Sequence, residues 1–372
     1  MSILYIDGFD HYNVAGATNY IYTASPSRWT AAGVDVSGSS CIATMPVLGG
    51  KCMNVVPRSN SPSNGLAGRP VLLMPIAPAS GLTFGCGFHF YATSLDYPSS
   101  PSFNRQALIG FSAGAAVVTR CIALDSGGQF TWRTTPEGTS LGNSGANVLA
   151  AGVLYHIEVK ILWHASAGTV EIRVNGAVYM SLTGIATLPT SATHMMFATA
   201  AWEGSGAAIG TFSYDNLFIW DATGAINNTF QGERNVQTIF PNADTADADW
   251  ALSTGAAGWS LLDNVPAVVG TDYIESSTVT DTSVFDLTSL ANPNITVVAV
   301  QTDVYAEKTD AGASQIQVGV VSGGVDSMSA GQSVTQSQYR NFLKVTELNP
   351  NTGIAWTAAE INAAQIKLVR ST

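Results

Sequence analysis

The chain has 372 residues, of which 46% are hydrophobic and only 11% charged, and its formal net charge is −11. This length allows two domains of ordinary size, each with its own core. The 15 basic side chains form no run, which argues against nucleic-acid binding, because neutralising phosphates needs clustered Lys and Arg. The acidic balance also argues against an anionic membrane surface.

The first ten residues predict a strand that enters a turn. They lack the basic region and the apolar core of a signal peptide, so we expect a protein made in the cytoplasm with no visible export signal. No stretch approaches the roughly 18 uninterrupted apolar residues of a membrane span. We therefore expect no membrane insertion.

Residues 1–228 carry the strongest strand signals. Apolar and polar residues alternate along residues 155–161 and again along 170–174, which is the period of a strand with one buried face. Asn175-Gly176 then supplies a pair that tolerates the positive φ of a tight turn. Three consecutive antiparallel strands are predicted here. Glu158 is expected to be a lone carboxylate on the outer face.

A last aromatic strand over residues 210–220 ends the first domain, and a polar connector follows it. Strands are expected within 277–287, 295–307 and 314–321 of the second domain, residues 229–372. Thr357 and Glu360 form a capping box, which predicts one short helix near the end of the chain. The predicted fold is all-β, with two consecutive β-sandwiches, the second smaller and carrying that helix.

The four cysteines are Cys41, Cys52, Cys86 and Cys121. Their spacing matches no zinc motif. Cys86 and Cys121 have the apolar surroundings of buried thiols. A Cys41–Cys52 disulfide across a short loop is the alternative that the sequence leaves open.

Two segments resemble the concanavalin A-like lectin/glucanase and laminin G-like jelly rolls. They are residues 155–176, with their Gly turn and Asn-Gly turn, and the closing strand 214–219. The resemblance implies a jelly roll for residues 1–228. Glucanases of this superfamily carry a Glu-x-Asp-x-x-Glu run on one strand, and no such run occurs here.

No other catalytic pattern stands out. Gly110-Phe111-Ser112-Ala113-Gly114 matches Gly-x-Ser-x-Gly, which has meaning only at a strand-to-helix elbow, and no helix pattern follows it. The five histidines form no local pair. We therefore expect no catalytic residues and a protein that is not an enzyme, with a polysaccharide hydrolase as the least favoured alternative.

No cofactor is expected, with calcium as the open alternative. Asp244, Asp247 and Asp249 supply oxygen ligands of the kind that Ca²⁺ prefers. The segment lacks the glycine and the distal glutamate of an EF-hand loop. A solvated turn is the simpler interpretation.

The chain as a whole resembles a family of tailed-bacteriophage virion proteins, through the opening residues 5–10, the Tyr-Asp-Asn strand at 214–216, the acidic segment 244–250 and the ending Trp356-Thr357. The resemblance implies a structural protein of the tail, neck or capsid, located in the virion. Its partners would be copies of itself and other virion proteins.

A receptor- or glycan-binding adhesin is the second interpretation. Aromatic rings at strand ends and in loops stack on sugars, and host surface glycan would then be the partner. The candidate contact residues are Trp29, Trp132, Trp163 and Trp202.

The assembly hypothesis predicts a discrete homo-oligomer that survives high salt, because a surface poor in charge associates through uncharged faces. Size-exclusion chromatography with light scattering in low and high salt measures this directly. A monomer at micromolar concentration would contradict self-assembly as the main role.

Overall fold

Antiparallel strands make up almost all of the regular structure. The structure is a computed structural model that describes residues 2–12, 30–31, 42–55, 72–95, 106–113, 117–125, 128–135, 138–146, 148–189, 191–199, 211–265, 270–292, 294–337 and 339–372. The all-β fold class predicted from the sequence is confirmed, because two β units follow one another along the chain.

In the described part of residues 3–221, two sheets form the first unit. The larger sheet has the order β13-β12-β11-β6-β15-β4-β3, with β1 also paired to β15, and the smaller sheet has the order β10-β9-β8-β7-β14-β5-β2. The strands are β1 (Ile3–Asp7), β2 (Thr30–Ala31), β3 (Ile42–Thr44), β4 (Lys51–Val55), β5 (Leu72–Pro75), β6 (Thr83–Ala92), β7 (Gln106–Ala113), β8 (Val117–Asp125), β9 (Gln129–Arg133), β10 (Ser140–Asn143), β11 (Leu154–Leu162), β12 (Gly168–Val174), β13 (Ala177–Ile185), β14 (His194–Thr199) and β15 (Phe212–Asp221).

Aromatic side chains fill the space between these two sheets. Phe88 on β6 meets Phe197 on β14 edge to face at 5.8 Å between ring centroids. Tyr214 on β15 lies 5.2 Å from the same Phe197 ring. Edge-to-face packing of this kind places the positive ring edge against the negative ring face and adds to the gain from burial.

The predicted run of three antiparallel strands is confirmed as β11, β12 and β13. Ile157 pairs with Val174 and Glu158 with Arg173, so the alternating apolar residues share the inner face. Asn175 has φ of 49° and Gly176 has φ of 81°, as the predicted turn requires.

The second unit contains a six-stranded sheet in the order β16-β19-β25-β21-β22, with β23 also paired to β21. The β20–β24 pair packs against it, and the β17–β18 pair lies beside them. The described elements are β16 (Pro241–Ala248), β17 (Ala251–Leu252), a 3₁₀ turn (Gly258–Leu261), β18 (Ile274–Glu275), β19 (Thr282–Leu287), β20 (Val300–Ala306), β21 (Gln315–Ser322), β22 (Val325–Met328), β23 (Gln332–Ser333), β24 (Arg340–Thr346), α1 (Ala358–Asn362) and β25 (Gln365–Arg370). Its core is built from Phe285, Ile316, Val318, Phe342 and Leu368.

The predicted capping box starts the short helix α1. The Thr357 hydroxyl accepts a hydrogen bond from the Glu360 N–H at 3.2 Å, and the Glu360 carboxylate accepts one from the Thr357 N–H at 2.8 Å. Two otherwise unpaired N–H groups are therefore satisfied. The helix ends after five residues, and Ala358 and Ile361 are its buried positions.

Edge strand β1 joins the two units. One side of β1 pairs with β15, and side chains of the second unit cover the other side. The Gln301 amide both donates to and accepts from the main chain of Ile6, at 2.9 Å each. The Glu347 carboxylate accepts the N–H groups of Ser2 and Ile3 at 2.8 and 3.1 Å. These bonds satisfy a strand edge that would otherwise present unpaired backbone groups.

Two glycines on β6 let aromatic rings from β15 lie against the β6 backbone. A Cβ added at Gly85 would come within 2.0 Å of the Trp220 ring, and one at Gly87 within 2.1 Å of Phe218. Phe218 and Trp220 point away from the sandwich core and pack with Val345 of the second unit. The Gly-x-Gly pattern thus marks a close approach inside a strand.

Gly85→Ala should therefore destabilise the protein by about 3 kcal/mol, because the Trp220 ring has to leave its buried position. Gly255→Ala is the control, since nothing lies within 4 Å of its added Cβ. Urea denaturation of both variants tests this. Equal stability of the Gly85 variant and the control would contradict the packing described here.

Candidate functional site

The outer face of the larger sheet carries a row of buried polar side chains. Cross-strand pairing brings them together, since His156 on β11 and Asp215 on β15 both lie opposite His89 on β6. The row comprises His89, His156, Glu158, Asp215 and Asn216, each between 1% and 6% exposed. A sheet face with this composition needs a cover that supplies hydrogen bonds.

The cover is the segment of residues 222–240 between β15 and β16, called the connector from here on. The Glu158 carboxylate accepts the connector N–H groups of Gln231 and Gly232 at 2.7 and 3.0 Å. Burial raises the pKa of Glu158, and the two N–H donors oppose that rise. The lone carboxylate predicted to face outward therefore lies on that face, but it is buried beneath the connector.

Two further bonds hold the connector to the row. The Glu233 carboxylate lies 3.0 Å from His89 Nε2, and this bond lowers the pKa of Glu233. The Val236 N–H donates to the Asn216 side-chain oxygen at 2.6 Å. Because Glu158, His89 and Asn216 bond to the connector, the connector covers the row on the outer face.

The ring of Phe230 anchors the start of this cover. The guanidinium of Arg173 lies 3.9 Å from its centroid and the ammonium of Lys160 lies 4.5 Å from it, which are cation–π distances. Glu171 bridges the two cations, at 2.8 Å from Arg173 Nε and 3.7 Å from Lys160 Nζ. The charged side chains of β11 and β12 therefore pack against the ring of a connector residue.

Besides Glu158, two titratable groups of the row have shifted pKa values. Burial raises the pKa of Asp215 to about 7, with nearby Asp10 and Asp7 adding to the rise. Burial and the neighbouring His89 lower the pKa of His156 to about 4. The rings of His89 and His156 lie 5.5 Å apart, and within the described residues His156 Nε2 has no hydrogen-bond partner. At neutral pH the His156 ring is therefore uncharged, whereas the charge of Asp215 changes with pH near neutrality.

A cleft of about 490 Å³ opens between the two units, beside the connector. This volume is typical of sites for small molecules. Its floor is apolar, with residues such as Ile6, Phe218 and Val298. The polar and aromatic side chains that line it are His11, Tyr12, Arg234, Asp272, Tyr273, Gln301, Asp303, Tyr305, Tyr339 and Asn341.

Three tyrosines of the second unit give the cleft its aromatic wall. The rings of Tyr305 and Tyr339 are stacked, with centroids 4.9 Å apart and planes inclined by 22°. Burial raises the pKa of Tyr305 to about 12 and also raises that of Tyr339, with Glu307 adding to the rise at Tyr339. Tyr273 is 38% exposed. The hydroxyls of Tyr305 and Tyr339 therefore stay protonated at neutral pH, and that of Tyr339 hydrogen-bonds to Glu307.

The first unit contributes polar side chains that hydrogen-bond to one another. The Asp7 carboxylate accepts the hydroxyls of Tyr5 and Tyr12 at 2.6 and 3.1 Å and the Phe9 N–H at 2.8 Å. Burial, followed by the Asp7 charge, raises the pKa of both tyrosines. The centroid of the His11 ring lies 3.9 Å from that of Tyr12, with the ring planes inclined by 40°. The His11 Nε2 atom is without a partner among the described residues.

Trp132 and Trp163, two of the four tryptophans proposed as glycan contacts, do not line the cleft. Trp132 is 0% and Trp163 1% exposed, because both pack in the sandwich core around Phe111. Neither side chain is accessible to a sugar, which corrects that expectation for these two residues. Trp29 and Trp202 lie outside the described residues.

The acidic segment is a strand rather than a solvated turn. Asp244 lies in β16, and its carboxylate accepts the N–H groups of Gly258 and Trp259 at 2.8 and 2.7 Å, where it caps the 3₁₀ turn. Among the described residues, no three His, Cys, Asp or Glu side chains are grouped to hold a metal ion. Calcium binding stays a prediction without a located site.

The remaining sequence motifs lie in the core. Ser112 of the Gly-x-Ser-x-Gly match is buried within β7. Cys52, Cys86 and Cys121 are buried free thiols, and burial raises the pKa of Cys52 to about 11. Cys41 lies outside the described residues.

No helix in the described part of the chain has the length and apolar character to cross a membrane.

The cleft residues escaped the sequence analysis because they come from distant segments. The sequence contained one indication of which residues face the cleft. The alternation that places Val300, Thr302 and Val304 on one face of β20 places Asp303 and Tyr305 on the other. Their partner Asn341 lies across the β20–β24 ladder, and its side chain donates to Asp303 at 3.3 Å.

No family model matches the chain, and no curated protein matches it. Several solved structures are similar to it. An endo-β-1,4-glucuronan lyase from the fungus Trichoderma reesei is 14% identical over 52% of this chain and 95% of that chain, with a TM-score of 0.34. An alginate lyase from Chlorella virus is 13% identical over 59% and 99%, with a TM-score of 0.40. Domain 4 of an extracellular arabinanase from Geobacillus stearothermophilus, solved with arabinotriose, is 14% identical over 52% and 82%, with a TM-score of 0.35.

These similarities correct one prediction. The expectation that the chain is not an enzyme does not hold, because the matched structures include polysaccharide lyases. That expectation rested on the missing glucanase carboxylate run, and the absence of one catalytic motif does not exclude other chemistry. At these identities the likeness extends to the fold and assigns no activity.

The raised pKa of Asp215 predicts a specific effect of pH on stability. The native state retains this proton up to about pH 7, whereas the unfolded chain loses it near the ordinary aspartate pKa of 3.8. Stability therefore falls as pH rises between these values. Asp215→Asn mimics the protonated form and keeps the oxygen that accepts the Asn216 N–H.

The free energy of unfolding of Asp215→Asn relative to the unmodified chain should therefore rise by at least about 1 kcal/mol between pH 4.5 and pH 8. Urea denaturation at each pH measures it. The contribution of His156 is common to both proteins and cancels in the difference. A difference that is the same at both pH values would refute the buried, protonated Asp215.

Proposed function

We propose that the chain is a carbohydrate-binding protein and that the cleft between its two units is the glycan site. The observation that carries the proposal is the stacked pair of Tyr305 and Tyr339 on the cleft wall, together with the exposed Tyr273. Aromatic rings at a wet surface present an apolar face and a polar edge at the same time.

The chemistry of a sugar fits this surface. A pyranose or furanose ring has C–H groups that pack on an aromatic face, and hydroxyls around its edge that need hydrogen-bond partners. Asp272, Asp303, Asn341 and Arg234 supply acceptors and donors around the tyrosines. An apolar wall with a few convergent polar groups is the general form of a small-molecule site.

The position of the cleft supports the same proposal. It lies between two β units that are fixed to each other by the Gln301 and Glu347 bonds to β1, so its walls are already in place without ligand. A preformed site loses less entropy on binding than one that must be assembled. The closed row beneath the connector offers no comparable opening.

The virion role remains a separate prediction. Self-assembly, attachment to other virion proteins and localisation in the virion concern the outer surface of the molecule, and the cleft supports none of them. The adhesin interpretation from the sequence is closer to the present proposal, but the glycan contacts are now assigned to the tyrosines of the cleft rather than to loop tryptophans.

Tyr305→Ala should weaken glycan binding about five- to thirtyfold, because removal of one stacking ring costs about 1–2 kcal/mol. A glycan array with the purified chain finds the ligand, and calorimetry then compares the variants. Tyr179→Ala is the matched control, since Tyr179 is a 43% exposed tyrosine on β13. The proposal fails if no glycan binds, or if both variants keep the original affinity.

A further inference from the structure

We infer that the ligand of the cleft is a glycan whose sugars carry no carboxylate or sulfate groups. This inference rests on the proposed function and adds the substrate class to it. It is carried by the distribution of charge in the cleft and by the way in which the cationic side chains nearby are already bonded.

Carboxylates outnumber cations on the cleft wall. Asp7, Asp272 and Asp303 line it, and the one arginine on that wall among the described residues is Arg234. His11 is the remaining titratable nitrogen group. The whole chain carries a net charge of −11, so the field of the protein has the same sign as that of the site.

The cations near the cleft donate to main-chain oxygens of the protein, and Arg234 uses one of its five N–H donors in this way. Arg234 Nη1 donates to the main-chain oxygen of Glu233 at 3.0 Å. The Lys51 ammonium donates to the main-chain oxygens of Asp10, at 2.8 Å, and Tyr12. A site for a uronic acid or a sulfated sugar would instead aim a bidentate arginine or a lysine at the anion.

The carboxylates are suited to hydroxyl groups. An ionised carboxylate is an acceptor with about four lone-pair sites, so Asp272 retains acceptor capacity beyond its 3.3 Å bond from Asn264. The protonated hydroxyl of Tyr305 adds a donor to the same cleft wall. An anionic sugar would place its carboxylate against these oxygens, and juxtaposed like charges suppress the wrong partner.

The experiment has two arms with the full chain. One arm titrates neutral hexasaccharides of glucose, xylose, mannose, arabinose and N-acetylglucosamine. The other titrates hexameric alginate and glucuronan fragments. Each titration is done at about 20 mM and about 500 mM NaCl, because added salt screens charge repulsion and leaves contacts between uncharged groups largely unchanged.

At least one neutral hexasaccharide should bind tenfold or more tightly than either polyuronate in low salt, with an affinity that salt does not change. Asp272→Asn should raise the ratio of uronate to neutral affinity at least threefold in low salt. These results together would support the inference.

The outcomes separate the two proposals. Tighter binding of a polyuronate that is lost in Tyr305→Ala would overturn the inference and leave the glycan site in place. Absence of binding in both arms would overturn the proposed function and the inference with it. An Asp272→Asn variant with an unchanged affinity ratio would show that this carboxylate does not set the selectivity.

Discussion

The free edge of β1 is the constraint on which the arrangement of the two units depends. A terminal strand that pairs with β15 on one side leaves backbone donors and acceptors open on the other, and such an edge associates with any strand available. Here Gln301 and Glu347 occupy those positions with side-chain groups, which satisfy the backbone without adding a strand. The second unit is therefore held at the edge of the larger sheet, and the cleft is the space left between them.

Local features of the fold could be predicted because the residues that determine them are close in sequence. The alternation along β11 and β12, the Asn175-Gly176 turn and the Thr357–Glu360 capping box each involve a few consecutive residues. The all-β class followed from the same signals. The Gly-x-Gly of β6 was visible as well, but its reason was not, since the rings that need the space come from β15, more than a hundred residues later.

The buried row and the cleft could not be predicted, because both depend on how residues distant in the sequence are brought together. His89 and His156 form a pair only when β6 and β11 are aligned, and Glu158 is buried only because the connector crosses the sheet. Exposure was overestimated in the same way for Trp132, which was expected near strand ends and fills the core. Alternation along one strand gives the face of a residue, but the element that covers this face is not encoded locally.

The connector links the buried row to the cleft. Its residues Gln231 and Arg234 line the cleft, while Gln231 and Gly232 donate main-chain N–H groups to Glu158 on the sheet face. A ligand that contacts both Arg234 and Tyr305 touches the connector and the second unit at once. Because it would bind only when both are seated on the sheet, binding stabilises their docked arrangement. In the proposed glycan complex the titratable groups beneath the connector would act on the same equilibrium, which would couple pH to ligand occupancy without contact between the buried row and the sugar.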